Sequence, residues 1–274
     1  MKLVSESAAP ESRVAVVKIG GSILTGPQAY RRAAEFVAAR SRAKPDERLV
    51  IVVSAEDGAT DSLLRTARDI VVAQPEASSL DLLWSTGELR SVALLALHLQ
   101  SLGVAAAPLN IHQSGLAAPE DDCQPGRVRV NTRGIAHSFA RCRIAIVPGF
   151  LAVDASGGVV SLGRGGSDLT AVLLAEALGA CRCELIKDVP GYFTADPHRD
   201  PSAQPIAHLT FDRALAMADA GCDLVQRKAI DAAAACGLPL VVRTLDDRAA
   251  STLISSPVPL AGWLAASLAA EAAS

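Results

Sequence analysis

The sequence predicts an α/β protein built around a mainly parallel β-sheet, and three observations carry that reading. Short β-type runs alternate with longer helical stretches from Val14 to Arg243, the order of strands joined by helical crossovers. Several runs, residues 49–53 above all, are apolar at every position rather than at every second one, as expected where helices cover both faces of a sheet. The segments that follow the strands are rich in Gly, Ser and Thr, and ligands of open parallel sheets bind at the carboxyl ends of strands.

Taken in order, Val14–Ile19 is the first strand, ending at Gly20-Gly21-Ser22, with a helix over 27–40 and a polar break at 44–47. Residues 49–53 form the next strand and lead through 54–60 into a helix over 61–72. Residues 84–102 read as a helix opened by Ser85-Thr-Gly-Glu88, and 104–109 and 143–147 as strands, the latter followed by Gly149-Phe150. The alternation continues with a strand at 159–162, a helix over 167–178 capped by Ser167 or Asp168, and a strand at 183–187. Helices over 211–220 and 224–236, the second stopped by Gly237 in a left-handed conformation, precede a last strand at 239–243. Residues 258–270 are apolar but contain Pro259 and fall short of the ~20 residues that span a bilayer; a packed C-terminal helix is expected there. No repeat or linker interrupts the chain, so one domain over 1–274 with two lobes is the simplest organisation.

Composition narrows the function classes. Half of the 274 residues are hydrophobic and only 3% are aromatic, so the core is aliphatic, and the stacking platforms of single-stranded nucleic-acid binders are excluded. A formal net charge of −3 argues against a polyanionic partner, while a small phosphate-bearing ligand needs only local positive charge. The six cysteines are scattered, and Cys181-x-Cys183 has no second pair at zinc-site spacing; reduced, mostly buried thiols are expected. The first thirteen residues lack the apolar run of a signal peptide, and a soluble cytoplasmic protein with no membrane partner is expected.

Four motifs could carry chemistry. Lys18-Ile-Gly-Gly-Ser22 brings a cation and Cβ-free backbone to a strand end, suited to an anion, or it is simply a tight strand-to-helix turn. Leu162-Gly-Arg-Gly-Gly-Ser-Asp-Leu-Thr-Ala171 opens an apolar helix, and capping does not explain an arginine between glycines; Arg164 there offers a guanidinium fork for a carboxylate. Lys187-Asp-Val-Pro-Gly-Tyr-Phe-Thr-Ala-Asp-Pro197 is a loop following a strand, and Ser85-Thr-Gly-Glu88 places an acid on a helix.

Together these segments resemble the amino acid kinase family, and within it the catalytic domain of aspartate kinases. Lys18 to Ser22 is similar to that family's Lys-Phe-Gly-Gly-Thr start. Val52-Val-Ser-Ala55 with Ala59-Thr-Asp61, Ser85 to Glu88, Leu162 to Ala171 and Lys187 to Pro197 follow its later motifs in order. The resemblance implies a three-layer αβα sandwich, with an amino-acid lobe and a nucleotide lobe. ATP with Mg2+ would be the phosphoryl donor, and a small amino acid, aspartate first, the acceptor. It assigns Lys18 and Asp168 to catalysis, with Asp168 orienting Lys18. Ser54, Thr60, Glu88, Arg164 and Ser167 go to the acceptor, Glu88 taking its ammonium and Arg164 its α-carboxylate. Lys18, Gly20, Gly21, Ser22, Lys187, Asp188, Tyr192 and Asp196 go to the nucleotide; no protein ligand for the metal is assigned. A homodimer is implied as well.

The chain departs from the family pattern in two places. Gly221-Cys-Asp-Leu-Val-Gln-Arg227 stands where members carry Gly-Ala-Lys-Val-Leu-His-Pro, and Asp121-Asp-Cys-Gln-Pro-Gly126 replaces an Asp-x-x-His-Gly segment. Arg227 or Lys228 is expected to supply the cation missing at Asp223. The departures keep open two alternatives, a different small carboxylate or amino acid as acceptor, and a weakly active ligand-binding subunit. Since aspartate kinases usually continue into paired regulatory domains, no regulatory domain and no feedback inhibition by lysine or threonine are expected of a chain ending about thirty residues after Arg243.

Overall fold

The computed structural model describes residues 14–71, 74–118, 128–197, 199–246 and 248–257. In chain order the elements are β1 (Val14–Ile19), a 3-10 turn (Gly21–Leu24), α1 (Pro27–Ala43), β2 (Arg48–Val53), α2 (Ala59–Ile70), α3 (Ala77–Ser101) and β3 (Ala107–Pro108). Then come α4 (Ile111–Ser114), β4 (Leu116–Ala117), β5 (Arg129–Val130), α5 (Arg133–Ser138), β6 (Ile144–Pro148), β7 (Leu151–Val153) and β8 (Val159–Ser161). The remainder is α6 (Gly166–Ala177), β9 (Cys183–Ile186), β10 (His208–Thr210), α7 (Phe211–Asp219), α8 (Arg227–Cys236), β11 (Leu240–Arg243) and β12 (Thr252–Ser255).

Eight strands make the main sheet in the order β10-β12-β11-β9-β1-β2-β6-β3. Every pairing in it is parallel except β11 with β12. The continuous apolarity of the strands has the expected cause, because side chains alternate between two covered faces. Val16, Val50, Val52 and Leu185 pack with α6 and α8, while Val17, Ile19, Ile51, Val53 and Ile186 pack with α1 and α3. The result is the three-layer αβα arrangement. From β1 the chain builds outward through β2 first and later through β9, so β1 and β9 flank the point where the strand order reverses. A second, four-stranded sheet, β5-β4-β7-β8, is tied to α3 where the Ser161 N–H donates to Asp81 Oδ2 at 3.0 Å.

Several expectations are corrected. Helix α3 begins at Ala77, so Ser85-Thr-Gly-Glu88 lies in its interior and opens nothing. Glycine inside that helix allows a close approach, since a Cβ at Gly87 would meet the Ala55 Cβ at 3.1 Å. The cap of α6 is Gly165 in the left-handed region (φ 72°), and neither Ser167 nor Asp168 caps it. Helix α8 starts at Arg227 rather than 224 and does end on left-handed Gly237. Only Ala107–Pro108 of the expected strand over 104–109 is paired. Of the described cysteines Cys183 alone is buried; Cys181 and Cys236 are exposed and Cys142 and Cys222 half-buried, against the expectation of mostly buried thiols. The expected C-terminal helix, Cys123 and the segment from Asp121 to Gly126 lie outside the described residues.

Candidate active site

Lys18 occupies the face of β1 that α6 covers, in register with Leu185 of β9. Lys187 follows two residues after Leu185, so strand alternation turns both lysines to the same side. Asp168, in the first turn of α6, meets both. Lys18 Nζ lies 2.9 Å from Asp168 Oδ1, and Lys187 Nζ donates to Asp168 Oδ2 at 2.9 Å. All this is inside the protein, with Asp168 only 2% exposed and Lys18 6%. Burial pushes the Asp168 carboxyl up, but the charges and hydrogen bonds of the two lysines outweigh it and hold it well below the usual carboxylate range. Burial lowers Lys187, opposed by the Asp168 carboxylate.

This pair of ammonium groups sharing one carboxylate borders a cavity of about 600 Å³, within the size range of small-molecule sites. Ser54, Thr60, Glu88, Arg164 and Ser167 line it together with Lys18, Asp168 and Lys187. The expected acceptor residues thus converge on one space from the loop after β2, from α3 and from the start of α6. Glu88 is 4% exposed, and its Oε2 has no hydrogen-bond partner. Burial pushes its carboxyl up to about 8, against the opposing pull of the Ala55 backbone N–H and the Lys18 charge. Arg164 is exposed and stands between Gly163 (φ 69°) and Gly165 (φ 72°). A Cβ on Gly165 would fall 2.1 Å from Gln226 Cγ, so glycine lets the start of α8 close onto the arginine loop.

The nucleotide residues divide. Gly20 and Gly21 follow Lys18, and a Cβ on Gly20 would sit 3.4 Å from Lys18 Nζ. A Cβ on Gly21 would come 2.5 Å from the Ala55 carbonyl, so only glycine lets the turn after β1 pack against the loop after β2. Ser22 is exposed beside them, and Asp188 is exposed next to Lys187. Tyr192, by contrast, is 2% exposed within the core and does not line the cavity. Asp196 does not line it either and lies 3.5 Å from Arg199. Arg227, one of the two residues expected to supply a cation, pairs with Asp219 and with Asp231 at 3.4 Å. Lys228 donates to the Leu162 carbonyl, close to the arginine loop.

Asp61, Trp84, Phe150 and Asp223 also line the cavity; Phe150 lies in one of the strand-end segments expected to hold a ligand, and no ligand role is expected of the other three from sequence. Trp84 stands one helical turn before Glu88 on α3, a relation already contained in the helix expected over 84–102. Asp223 was marked only as a departure from a pattern.

The sequence matches the Amino acid kinase family over residues 13–244. The aspartokinase of Corynebacterium efficiens is 38% identical over 248 residues, 88% of this chain and 56% of that protein. That of Geobacillus stearothermophilus is 33% identical over 247 residues, 90% of this chain and 60% of that protein. The chain therefore spans little more than half the length of these relatives. Among solved structures, aspartate kinase from Synechocystis has a TM-score of 0.75 at 31% identity, covering 90% of this chain and 40% of that one. UMP kinase from Ureaplasma parvum shares the fold alone, with a TM-score of 0.61 at 17% identity, covering 90% of this chain and 100% of that one. The match extends from the residue before β1 to the one after β11 and takes in every strand-end motif around the cavity, and on that ground the chain belongs to the amino acid kinase family.

Proposed function

We propose that this chain is a kinase that transfers the γ-phosphoryl group of ATP to the side-chain carboxylate of L-aspartate, giving 4-phospho-L-aspartate and ADP. The observation that carries the reading is the Lys18–Asp168–Lys187 arrangement bordering a cavity that also holds Glu88 and Arg164. The two lysines offer positive charge where a phosphoryl group would gather negative charge, and the shared aspartate fixes both ammonium groups before substrate arrives. Glu88 and Arg164 match the ammonium and the α-carboxylate of a free amino acid, with Ser54, Thr60 and Ser167 beside them. Support also comes from the relatives, which are aspartokinases at 33 to 38% identity.

An aspartate side chain has an ordinary pKa near 3.9, so it is already an ionised nucleophile at neutral pH and needs no general base. A carboxylate oxygen attacks the γ-phosphorus, the bond to the β-phosphate oxygen breaks, and ADP leaves with that electron pair. Catalysis is then positioning and charge stabilisation. Gly20, Gly21 and Ser22 would add donors for the phosphates, and Asp188 and Lys228 would stand near them. Asp61 and Asp223, both exposed on the cavity wall, are oxygen donors compatible with a magnesium ion. That ion would ride mainly on the phosphate oxygens and offset their charge. The half of the chain carrying α2 and α3 would serve the acceptor, and the half from α6 onward the nucleotide, within one catalytic domain. A cytoplasmic homodimer fits this reading.

One observation favours a second acceptor. Asp223 and Gln226 line the cavity in place of the lysine and histidine of the family pattern, which fits another small carboxylate or amino acid. ADP release measured across the free amino acids decides between them. Aspartate is expected to give the highest rate; a higher rate with another acid selects the second reading, and none with any acceptor overturns both.

A further inference from the structure

A second cavity, of about 700 Å³, lies between α2 and α3, and Leu64 and Trp84 line both it and the candidate site. The indole of Trp84 is thus a partition. It is held by an edge-to-face contact with Phe150, with ring centroids 5.9 Å apart and planes at 68°. Phe150 itself sits at φ 69°, the only residue other than glycine in that region among the described residues. Such backbone is costly for a bulky side chain and persists only where its surroundings fix it. Trp84 Nε1 is buried and has no hydrogen-bond partner. A ring chosen only for packing would be better served by phenylalanine, which carries no donor to leave unpaired. The indole's extra size, and not its polar atom, is what the fold uses here.

Trp84 and Glu88 are four residues apart on α3 and share a face. An acceptor whose reacting carboxylate meets Lys18 and whose ammonium meets Glu88 lies against the wall that Trp84 shares with Glu88. From this placement we infer that Trp84 sets the upper size limit of the acceptor. It closes the site behind an acid of aspartate length and shuts off the second cavity, where Arg68 and Gln74 could receive the polar end of a longer one. This inference rests on the proposed acceptor site and adds the residue that determines its length specificity.

The test compares kcat/KM for aspartate, glutamate and 2-aminoadipate in the wild-type chain, Trp84→Phe, Trp84→Leu and Trp84→Ala. Thermal unfolding and the KM for ATP report whether each variant is folded. Trp84→Ala is expected to lower the preference for aspartate over the longer acids by about tenfold or more, the scale at which pockets discriminate single methylenes. The loss should follow the volume removed, smallest in Trp84→Phe, larger in Trp84→Leu and largest in Trp84→Ala, all with an unchanged KM for ATP. An unchanged preference in folded Trp84→Ala or Trp84→Leu overturns the inference while leaving the kinase reading intact. An equal loss in Trp84→Phe also overturns it, because the N–H and not the bulk would then be responsible. A wild-type chain that turns over none of the three acids overturns the kinase reading and this inference with it.

Discussion

Glu88 and Asp168 are both buried acids bordering one cavity, yet their surroundings drive them in opposite directions. Two ammonium groups 2.9 Å from Asp168 keep it ionised, whereas Glu88 has an unpartnered oxygen, and burial outweighs the Ala55 and Gly149 N–H groups and the Lys18 charge and carries it up to about 8. A carboxyl that holds its proton at neutral pH must lose it before it can pair with an ammonium group. KM for the amino-acid acceptor should therefore fall as pH rises from 6 to 8, by up to about tenfold per unit, and level off above 8. Glu88→Gln should raise KM and flatten that profile; a wild-type KM that does not change over this range contradicts the assignment. Linkage has the opposite sense for the stability of the free protein. Its native state keeps a proton that the unfolded chain loses near the ordinary glutamate pKa, so this group's contribution to stability is lost as pH rises through about 8.

At the level of elements, the strands that build the site were the most legible part of the sequence. Val14–Ile19 and the run at 49–53 are legible because both faces are buried and almost every residue is apolar, while 183–187 carries Glu184 and Lys187 around a shorter apolar stretch. Lys18 stood out as the charged residue in such a run. What escaped was set by tertiary contact. The start of α3 carries Ser78, Ser79 and Asp81 and reads as a loop, but Asp81 is spent on the Ser161 N–H. β10 and β12 are three and four residues long and pair only with each other and with β11. The residues of Ser85 to Glu88 were recognised by resemblance while their place in the helix was not. Tyr192, expected at the nucleotide, packs in the core, a placement its position in a loop motif does not reveal.

Another tie invisible in the sequence joins α1 to β9, where Arg40 pairs with Glu184 at 2.8 Å and Glu47 at 2.7 Å. Glu184 is 2% exposed, so removing Arg40 takes its shortest ion pair from a buried charge and leaves it only Arg182 at 3.1 Å and Arg243 at 3.9 Å. Arg40→Ala should lower stability by about 3–5 kcal/mol, read as a shifted denaturation midpoint, without changing KM for either substrate in the folded protein. A loss under about 1 kcal/mol would show that the carboxylate is compensated by Arg182 and Arg243 alone.

Across the whole molecule, the point where strand order reverses decides where chemistry is possible. β1 and β9 are adjacent there, so their lysines reach a common partner on α6, while the loop after β2 and the middle of α3 bring the acceptor residues to the same cavity. Sequence motifs named most of these residues, but only the register between β1 and β9 explains why one aspartate serves two lysines. Trapping the acyl phosphate with hydroxylamine tests the proposal that this junction phosphorylates a carboxylate. Incubation of the full chain with ATP, Mg2+ and L-aspartate is predicted to yield the β-hydroxamate of aspartate. Lys18→Ala should remain folded and yield about a hundred- to a thousandfold less. No hydroxamate from the wild-type chain, or an undiminished yield from folded Lys18→Ala, would contradict the account.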